Sequence, residues 1–227
     1  MKRYRYQMHT HTYPCSACGN MSPRQLVEAL NSSGYSGCVI TNHFYHGYTG
    51  IDRNLDWTEF IRQYELDYIA CCEEAEKYDL DIIFGIEEIV SEGIEILCYG
   101  VTPEILYSNP ELSQCDYKLW YSIMHANGVL CLQAHPFRER YYIPKPGVLP
   151  LEFIDGIEVY NAANTPKNNL EAERYAQAHP ELILVSGADA HDELSVCVGG
   201  IEAKRRIRNG QELVEVLRSR EYVLIKE

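Results

Sequence analysis

Two histidines one residue apart, His9 and His11, are the first chemically distinctive feature of the sequence. They follow the first predicted strand, and side chains two positions apart on extended backbone point to the same side. The two imidazoles could therefore bind one metal ion together. Taken alone the motif is weak evidence, because so short a pattern recurs by chance and is more often a pair of ordinary polar residues entering a loop.

Later predicted strands also end at a histidine or an acid, which strengthens the metal-site interpretation. These strand-end residues are His43, Glu87, His135, Asp189 and His191. Histidine and carboxylate ligands without a thiolate cluster suit Zn, Mn or Fe, and a carboxylate can bridge two ions. Clustered ions lower the pKa of a bound water and hold the oxygens of a phosphoryl group. The pattern predicts metal-assisted hydrolysis.

Short apolar runs alternate with helical patterns along the 227 residues. Strands are predicted at 4–9, 37–43, 81–87, 95–99, 129–135, 156–161 and 182–191, with a last apolar run at 222–225. Helices are predicted at about 22–34, 57–78, 115–127, 167–178 and 209–219. This alternation predicts a distorted (β/α)7 TIM-like barrel in which the loops after the strands share the chemically active face. We expect residues 1–227 to form a single domain.

Composition is that of an ordinary globular protein, with 46% hydrophobic and 23% charged residues. The formal net charge of −13 repels nucleic-acid phosphates and anionic membranes at long range. We therefore expect neither a nucleic-acid nor a membrane partner. The oligomeric state is left open by the sequence.

Nine cysteines are spread along the chain, several of them inside apolar runs where they behave as small buried hydrophobes. The N-terminus lacks the apolar core of a signal peptide, and no apolar run is long enough to cross a bilayer. A reducing cytoplasm fits this pattern best. Cys15 and Cys18 have C-x-x-C spacing, but the chain has no second such pair, so a dedicated cysteine-rich zinc site is not expected.

Six segments together resemble the successive motifs of the PHP (polymerase and histidinol phosphatase) family. They are residues 9–11 (His-Thr-His), 41–43 (Thr-Asn-His), 85–87 (Gly-Ile-Glu), 134–136 (Ala-His-Pro), 157–161 (Ile-Glu-Val-Tyr-Asn) and 187–191 (Gly-Ala-Asp-Ala-His). Their order and spacing match across nearly the whole chain. The resemblance implies a seven-stranded distorted (β/α) barrel in which two or three divalent ions (Zn, Mn or Fe) support phosphoester hydrolysis.

The resemblance also implies which side chains bind the ions. His9, His11, Glu87 and Asp189 would hold one ion, and Glu87 would bridge to a second ion at His135. A third ion would lie at His43 and His191.

Four positions depart from the family pattern. Gln7 and Asn42 stand where the family usually has aspartate, at mostly supporting positions. Cys18 stands where the family has an aspartate or histidine ligand, and Glu95 stands where it has a histidine ligand. Both can bind metal, with Cys18 favouring zinc and Glu95 favouring harder ions.

The reaction that these features predict is hydrolysis of a small phosphomonoester by a metal-activated hydroxide. Arg138 would neutralise phosphoryl oxygens, and His191 or His43 would donate a proton to the leaving group. Histidinol phosphate, nucleoside mono- or bisphosphates and phosphotyrosine are all compatible substrates.

Two alternatives remain. An amidohydrolase-like metal hydrolase would typically carry a bridging lysine on a middle strand, and no lysine lies at a predicted strand end. A non-catalytic or degenerate metal-binding scaffold is the second alternative, because fold and function separate easily.

Overall fold

The computed structural model describes residues 3–141, 143 and 146–226. Within them, nine strands form one sheet that curls into a nearly closed barrel, in the order β7-β6-β5-β4-β3-β2-β1-β8-β9. The strands are β1 (Tyr4–Gln7), β2 (Gly37–Ile40), β3 (Asp81–Ser91), β4 (Ile94–Tyr99), β5 (Leu130–Gln133), β6 (Gly156–Asn161), β7 (Ile183–Gly187), β8 (Gly200–Ala203) and β9 (Tyr222–Ile225).

Six α-helices accompany the sheet in the described residues. They are α1 (Pro23–Ser32), α2 (Trp57–Ala75), α3 (Pro103–Ser108), α4 (Tyr117–Ala126), α5 (Pro166–Ala178) and α6 (Gly210–Ser219), with short 3-10 helices at Pro110–Ser113 and Leu151–Phe153. None of these helices is both long and apolar enough to cross a bilayer. All nine cysteines carry free thiols.

The barrel closes just beyond the ends of β1 and β7. Thr10 and Ala190 form an isolated parallel bridge there. The backbone N–H of His11 donates to the Ala190 carbonyl at 2.9 Å, and the Ala190 N–H donates to the His9 carbonyl at 3.1 Å. Because these bonds join the carboxyl ends of the two strands, they bring both histidines beside the segment that carries Asp189.

The predicted distorted α/β barrel is confirmed, but its strand directions are more mixed than a simple (β/α)7 repeat. β4 runs antiparallel to both β3 and β5, and β8 and β9 are also antiparallel to their neighbours. A turn of two residues, Glu92 and Gly93, joins β3 to β4. So short a connection cannot hold a crossover helix, so β4 must return antiparallel. The start of β4, with Glu95, therefore lies near the end of β3.

The core lies on both faces of the sheet. In β4, Leu97 and Tyr99 pack inside the barrel with Tyr6 of β1. The alternate residue Cys98 packs outside, in a cluster that includes Trp120 of α4. A sheet covered on both faces needs apolar residues at successive positions, which explains the near-continuous apolar runs in the sequence.

Close approach of β2 to β3 requires glycine at position 37. A Cβ on Gly37 would clash with the backbone carbonyl oxygen of Asp81, its register partner. Gly37→Ala is therefore expected to lower the free energy of unfolding by about 1–3 kcal/mol, the usual cost of overpacking. Urea denaturation measures this loss. Ser36→Ala, one residue earlier, is the control and should unfold near the wild-type midpoint; equal stability of the two variants would contradict the prediction.

Candidate metal centre

The predicted strand-end ligands converge on the carboxylate of Glu87. Its Oε1 lies 3.1 Å from His9 Nε2 and 3.2 Å from His135 Nε2. Its Oε2 lies 3.2 Å from His11 Nε2 and 3.1 Å from His43 Nδ1. One buried carboxylate thus faces four imidazole nitrogens, two on each oxygen, which suits a bridging ligand.

Asp189 lies on the other side of the first two histidines. Its Oδ1 is 3.2 Å from His11 Nε2 and 3.5 Å from His9 Nε2, and its Oδ2 accepts from Arg138 Nη2 at 2.7 Å. The φ angle is +55° at Asp189 and +29° at His135. Residues other than glycine rarely have a positive φ angle, and those that do are concentrated at functional sites.

Glu95 and Cys18 reach the cluster from two other directions. Glu95 Oε2 lies 3.4 Å from His135 Nε2, and its Oε1 lies 3.8 Å from His43 Nδ1. Cys18 Sγ lies 3.1 Å from His191 Nε2. Burial raises the pKa of the Cys18 thiol, but hydrogen bonds with His191 and His43 outweigh it and lower the pKa to about 7. All nine predicted ligands are thus brought together, and their individual ligand roles stay predictions.

Several buried atoms of this cluster lack a hydrogen-bond partner among the described residues. They are His9 Nε2, His11 Nε2, His43 Nδ1 and Glu87 Oε2. A buried polar atom without a partner costs about 1–3 kcal/mol, so four of them in one place suit a site that binds a metal ion. Four sets of three donor atoms lie within 4.8 Å of one another, built from imidazoles and carboxylates. This donor set fits divalent ions such as Zn, Mn or Fe.

The charges of the cluster also favour a cation. Burial opposes the charged form of Glu87, but His9 and His43 hold the pKa of its carboxyl well below the usual range. Burial and the Glu87 charge raise the pKa of Glu95. Two buried carboxylates therefore lie in one cluster, and a divalent ion would relieve their repulsion.

Glu158 orients His9 and is a functional residue that the site prediction missed. Its Oε1 lies 3.0 Å from His9 Nδ1, and its Oε2 accepts from the His135 backbone N–H at 3.0 Å. A carboxylate can only accept, so Nδ1 of His9 carries a proton, and Nε2, which faces Glu87, is the atom available to bind a metal ion. The available signal was a charged residue at a buried position of β6, within the 157–161 motif.

Ser16 and Asn42 orient His11 in a similar way. The Ser16 hydroxyl donates to Asn42 Oδ1 at 2.9 Å, so it accepts the proton of His11 Nδ1 at 3.0 Å. His11 Nε2 is thereby left as a ligand atom. Asn42 Oδ1 also accepts from the Thr12 backbone N–H at 2.7 Å. Gln7 joins β1 to the segment after β7 through hydrogen bonds of its amide. Gln7 and Asn42, two of the four departures from the family pattern, thus hold the backbone around the cluster but do not contribute ligand atoms to it.

Arg138 is buried and held at three points. Its Nη2 donates to Asp189 Oδ2 at 2.7 Å and to Asn161 Oδ1 at 2.9 Å, and its Nε donates to Asn164 Oδ1 at 2.8 Å. These bonds fix the guanidinium beside Asp189, and Arg138 also lines the cavity above the cluster. Its contact with a phosphoryl group stays a prediction.

The cluster forms the floor of a cavity of about 470 Å³. Tyr48 and Tyr141 line it and are 64% and 100% exposed. No lysine lies among the described residues that line it. A larger groove of about 620 Å³ lies elsewhere, between α5 and β9, and does not include the predicted ligands.

No family model and no curated protein matches the sequence. A solved two-domain protein from Bacteroides vulgatus, described as containing a predicted PHP-like metal-dependent phosphoesterase, superposes with a TM-score of 0.70 at 18% identity. The match covers 100% of this chain and 65% of that one. The chain shares the fold of this PHP-like protein. The expectation drawn from the six sequence motifs is confirmed at the level of fold.

Two further solved structures share this PHP-like fold. One is described as an amidohydrolase from Chromobacterium violaceum with bound sulfate and no metal; it has a TM-score of 0.59, 15% identity and 98% coverage of each chain. The other is Endonuclease Q in complex with a 27-mer duplex substrate that has an abasic lesion at the active site. Its TM-score is 0.67 at 11% identity, and the match covers 96% of this chain and 57% of that one.

The prediction that excluded a nucleic-acid partner was wrong. Endonuclease Q combines the same PHP-like fold with a DNA substrate. The argument from the net charge of −13 failed because net charge averages over the whole surface. Ions bound at the floor of a cavity supply positive charge where a phosphate would bind, and this local field opposes the average one.

Glu158→Gln should lower the metal affinity of the cluster but should not abolish metal binding. The amide can present its nitrogen to His9 Nδ1, which disturbs the tautomer that faces Glu87. Loss of such an orienting partner typically costs 10- to 100-fold in metal affinity, and we expect a loss on the order of 10-fold or more. Competition with a chromophoric chelator measures it. Glu111→Gln, at an exposed position, is the control. Equal affinities in both variants would refute the orienting role.

Proposed function

We propose that this protein is a metal-dependent phosphoesterase that hydrolyses phosphate monoesters. The observation that carries the proposal is the buried Glu87 carboxylate facing four imidazole nitrogens at the floor of an open cavity. The phosphoesterase described for the Bacteroides vulgatus neighbour supports the same reaction class. Phosphoesterases are hydrolases, in agreement with the prediction of metal-assisted hydrolysis.

Two or three divalent ions, drawn from Zn, Mn and Fe, fit the donor set of His9, His11, Glu87 and Asp189 together with His135 and Glu95. Such ions lower the pKa of a bound water and neutralise phosphoryl oxygens. We propose that residues 1–227 form a single domain. We also propose that the protein works in a reducing cytoplasm, where the nine free thiols would persist.

The other side chains of the cavity would bind the phosphoryl group, donate a proton and orient a ligand. Arg138, fixed beside Asp189, would bind a phosphoryl oxygen from the wall, since a guanidinium matches phosphate geometry. Either His191 or His43 would donate a proton to the leaving oxygen when it is not itself a ligand. His191 is the more accessible of the two, with a side chain 29% exposed against 12%. Glu158 keeps His9 in the tautomer that binds metal.

The proposal is tested with chelator-treated protein reconstituted with each metal and assayed on p-nitrophenyl phosphate and bis(p-nitrophenyl) phosphate. We expect metal-dependent turnover with a higher kcat/KM for the monoester. His9→Gln should abolish turnover. The control is His125→Gln on the exposed side of α4, which should retain it. Activity that survives chelation, or that is undiminished in His9→Gln, would refute the assignment. Preference for the diester would instead indicate a phosphodiesterase.

A further inference from the structure

Two subsets of the ligands of the centre differ in chemical softness. One group joins a thiol to imidazoles: Cys18, His43 and His191. The other joins two carboxylates to one imidazole: Glu87, Glu95 and His135. The thiol group comes from the loops after β1, β2 and β7. The carboxylate group comes from the β3–β4 hairpin and the end of β5.

The thiol group is arranged as a site rather than as an isolated cysteine. His191 Nδ1 lies 2.7 Å from the Asp189 backbone carbonyl, which can only accept, so His191 Nε2 turns its lone pair toward Cys18 Sγ at 3.1 Å. The His11 ring lies 4.4 Å from the ring of His43 and 4.5 Å from that of His191. Cys18 also hydrogen-bonds with His43, and the buried His43 Nδ1 lacks a hydrogen-bond partner among the described residues, so this imidazole suits a metal ligand.

In the carboxylate group, Glu87 and Glu95 both lie close to His135. His135 Nε2 is 3.2 Å from Glu87 Oε1 and 3.4 Å from Glu95 Oε2. Two carboxylates and one imidazole form a harder donor set than a thiolate with imidazoles. Zinc binds thiolate and imidazole with particular preference, whereas carboxylate-rich sites suit Mn and other hard ions.

We propose that the centre is heterometallic, with zinc at Cys18, His43 and His191 and a harder ion such as Mn at Glu87, Glu95 and His135. The proposal rests on the proposed metal-dependent function. When zinc binds, the Cys18 thiol loses its proton to solvent and the sulfur forms the metal bond. Cys18 and Glu95, which replace the usual family ligands, would thus make two neighbouring positions prefer different metals.

The first test uses Co(II) as a spectroscopic substitute for zinc. Metal-free wild-type protein titrated with Co(II) should develop a near-ultraviolet thiolate-to-cobalt charge-transfer band. Cys18→Ser should lack the band, and Cys72→Ser in α2 should keep it at full strength. Circular dichroism checks that both variants are folded. Absence of the band in fully loaded wild-type protein, or its persistence in Cys18→Ser, would overturn the thiolate site.

The second test measures zinc retention in competition. Protein loaded with zinc is dialysed against a large molar excess of Mn(II), and both metals are then quantified per chain. Wild-type protein should keep about one zinc, the Cys18→Ser variant should keep none, and Glu95→His should keep about two, because each change alters the softness of one position. Equal zinc retention in wild type and Cys18→Ser would contradict the proposal, as would equal retention in wild type and Glu95→His.

Neither readout requires turnover, so the two proposals fail separately. The cobalt band and selective zinc retention without hydrolysis of any phosphoester would refute the proposed function and leave the mixed-metal centre standing. Metal-dependent phosphoester hydrolysis without the cobalt band would support the proposed function and refute the mixed-metal centre.

Discussion

Glu87→Gln is expected to abolish phosphoester hydrolysis, lowering kcat/KM by roughly 10³-fold or more, which corresponds to about 4 kcal/mol of transition-state stabilisation. The neutral amide cannot bridge two cations, and it presents N–H groups to two of the four imidazole nitrogens that now face a carboxylate. Steady-state kinetics with the reconstituted protein measures the loss, and metal analysis of the same sample should show fewer ions per chain.

Glu88→Gln is the matched control for this substitution. Glu88 is the next residue of β3 and is equally buried, but it points to the other face and accepts from the His46 backbone N–H at 2.9 Å. Burial raises its pKa, and the amide oxygen of a glutamine can still accept from the His46 backbone N–H. Activity near wild type is expected. If Glu88→Gln lost as much activity as Glu87→Gln, the effect would be structural and the bridging role would be refuted.

Asp189→Asn is expected to remove activity and also to destabilise the metal-free protein. Burial opposes the charged form, but His9 and Arg138 hold the Asp189 pKa well below its usual range, so its charge stabilises the folded state. Without it, the buried Arg138 loses its 2.7 Å ion pair, at a cost of about 3–5 kcal/mol. Asparagine tolerates φ near +55°, so backbone strain adds little. Denaturant unfolding of metal-free protein and kinetics of reconstituted protein measure the two effects.

Two further variants separate charge loss from general damage. Asp192→Asn changes an exposed aspartate three residues later and should leave activity intact. The double variant Arg138→Gln/Asp189→Asn removes both charges and should recover part of the lost stability but no activity. An Asp189→Asn protein as stable as wild type would show that the ion pair with Arg138 does not support the fold.

The sequence predicts most of the centre because parallel strands deliver their carboxyl ends to one face. His43, His135 and Asp189 each follow a buried apolar run, and the structure brings them together. Glu95 does not obey this rule, since it lies at the start of β4. Only the antiparallel return of the β3–β4 hairpin places it beside His135, and a strand's direction is not encoded in its own apolar pattern.

Other features depended on tertiary contacts that no local pattern reveals. Glu158 belongs to the 157–161 motif, but only the fold shows that its carboxylate lies 3.0 Å from His9, 149 positions away in sequence. Arg138 lies close to Asp189 for the same reason. β8 was not predicted, because its four residues begin at Gly200 and form a strand only through pairing with β1 and β9.

The central claim is that the cluster around Glu87 binds several metal ions, and elemental analysis tests it most directly. The sample is untagged wild-type protein purified without chelator, compared with Glu87→Gln prepared in parallel. We predict two or three equivalents of Zn, Mn or Fe per wild-type chain and fewer in the variant, because Glu87 belongs to two of the four sets of close donor atoms. A wild-type chain that holds no metal, even after reconstitution with each ion in turn, would contradict the account and favour a non-catalytic scaffold.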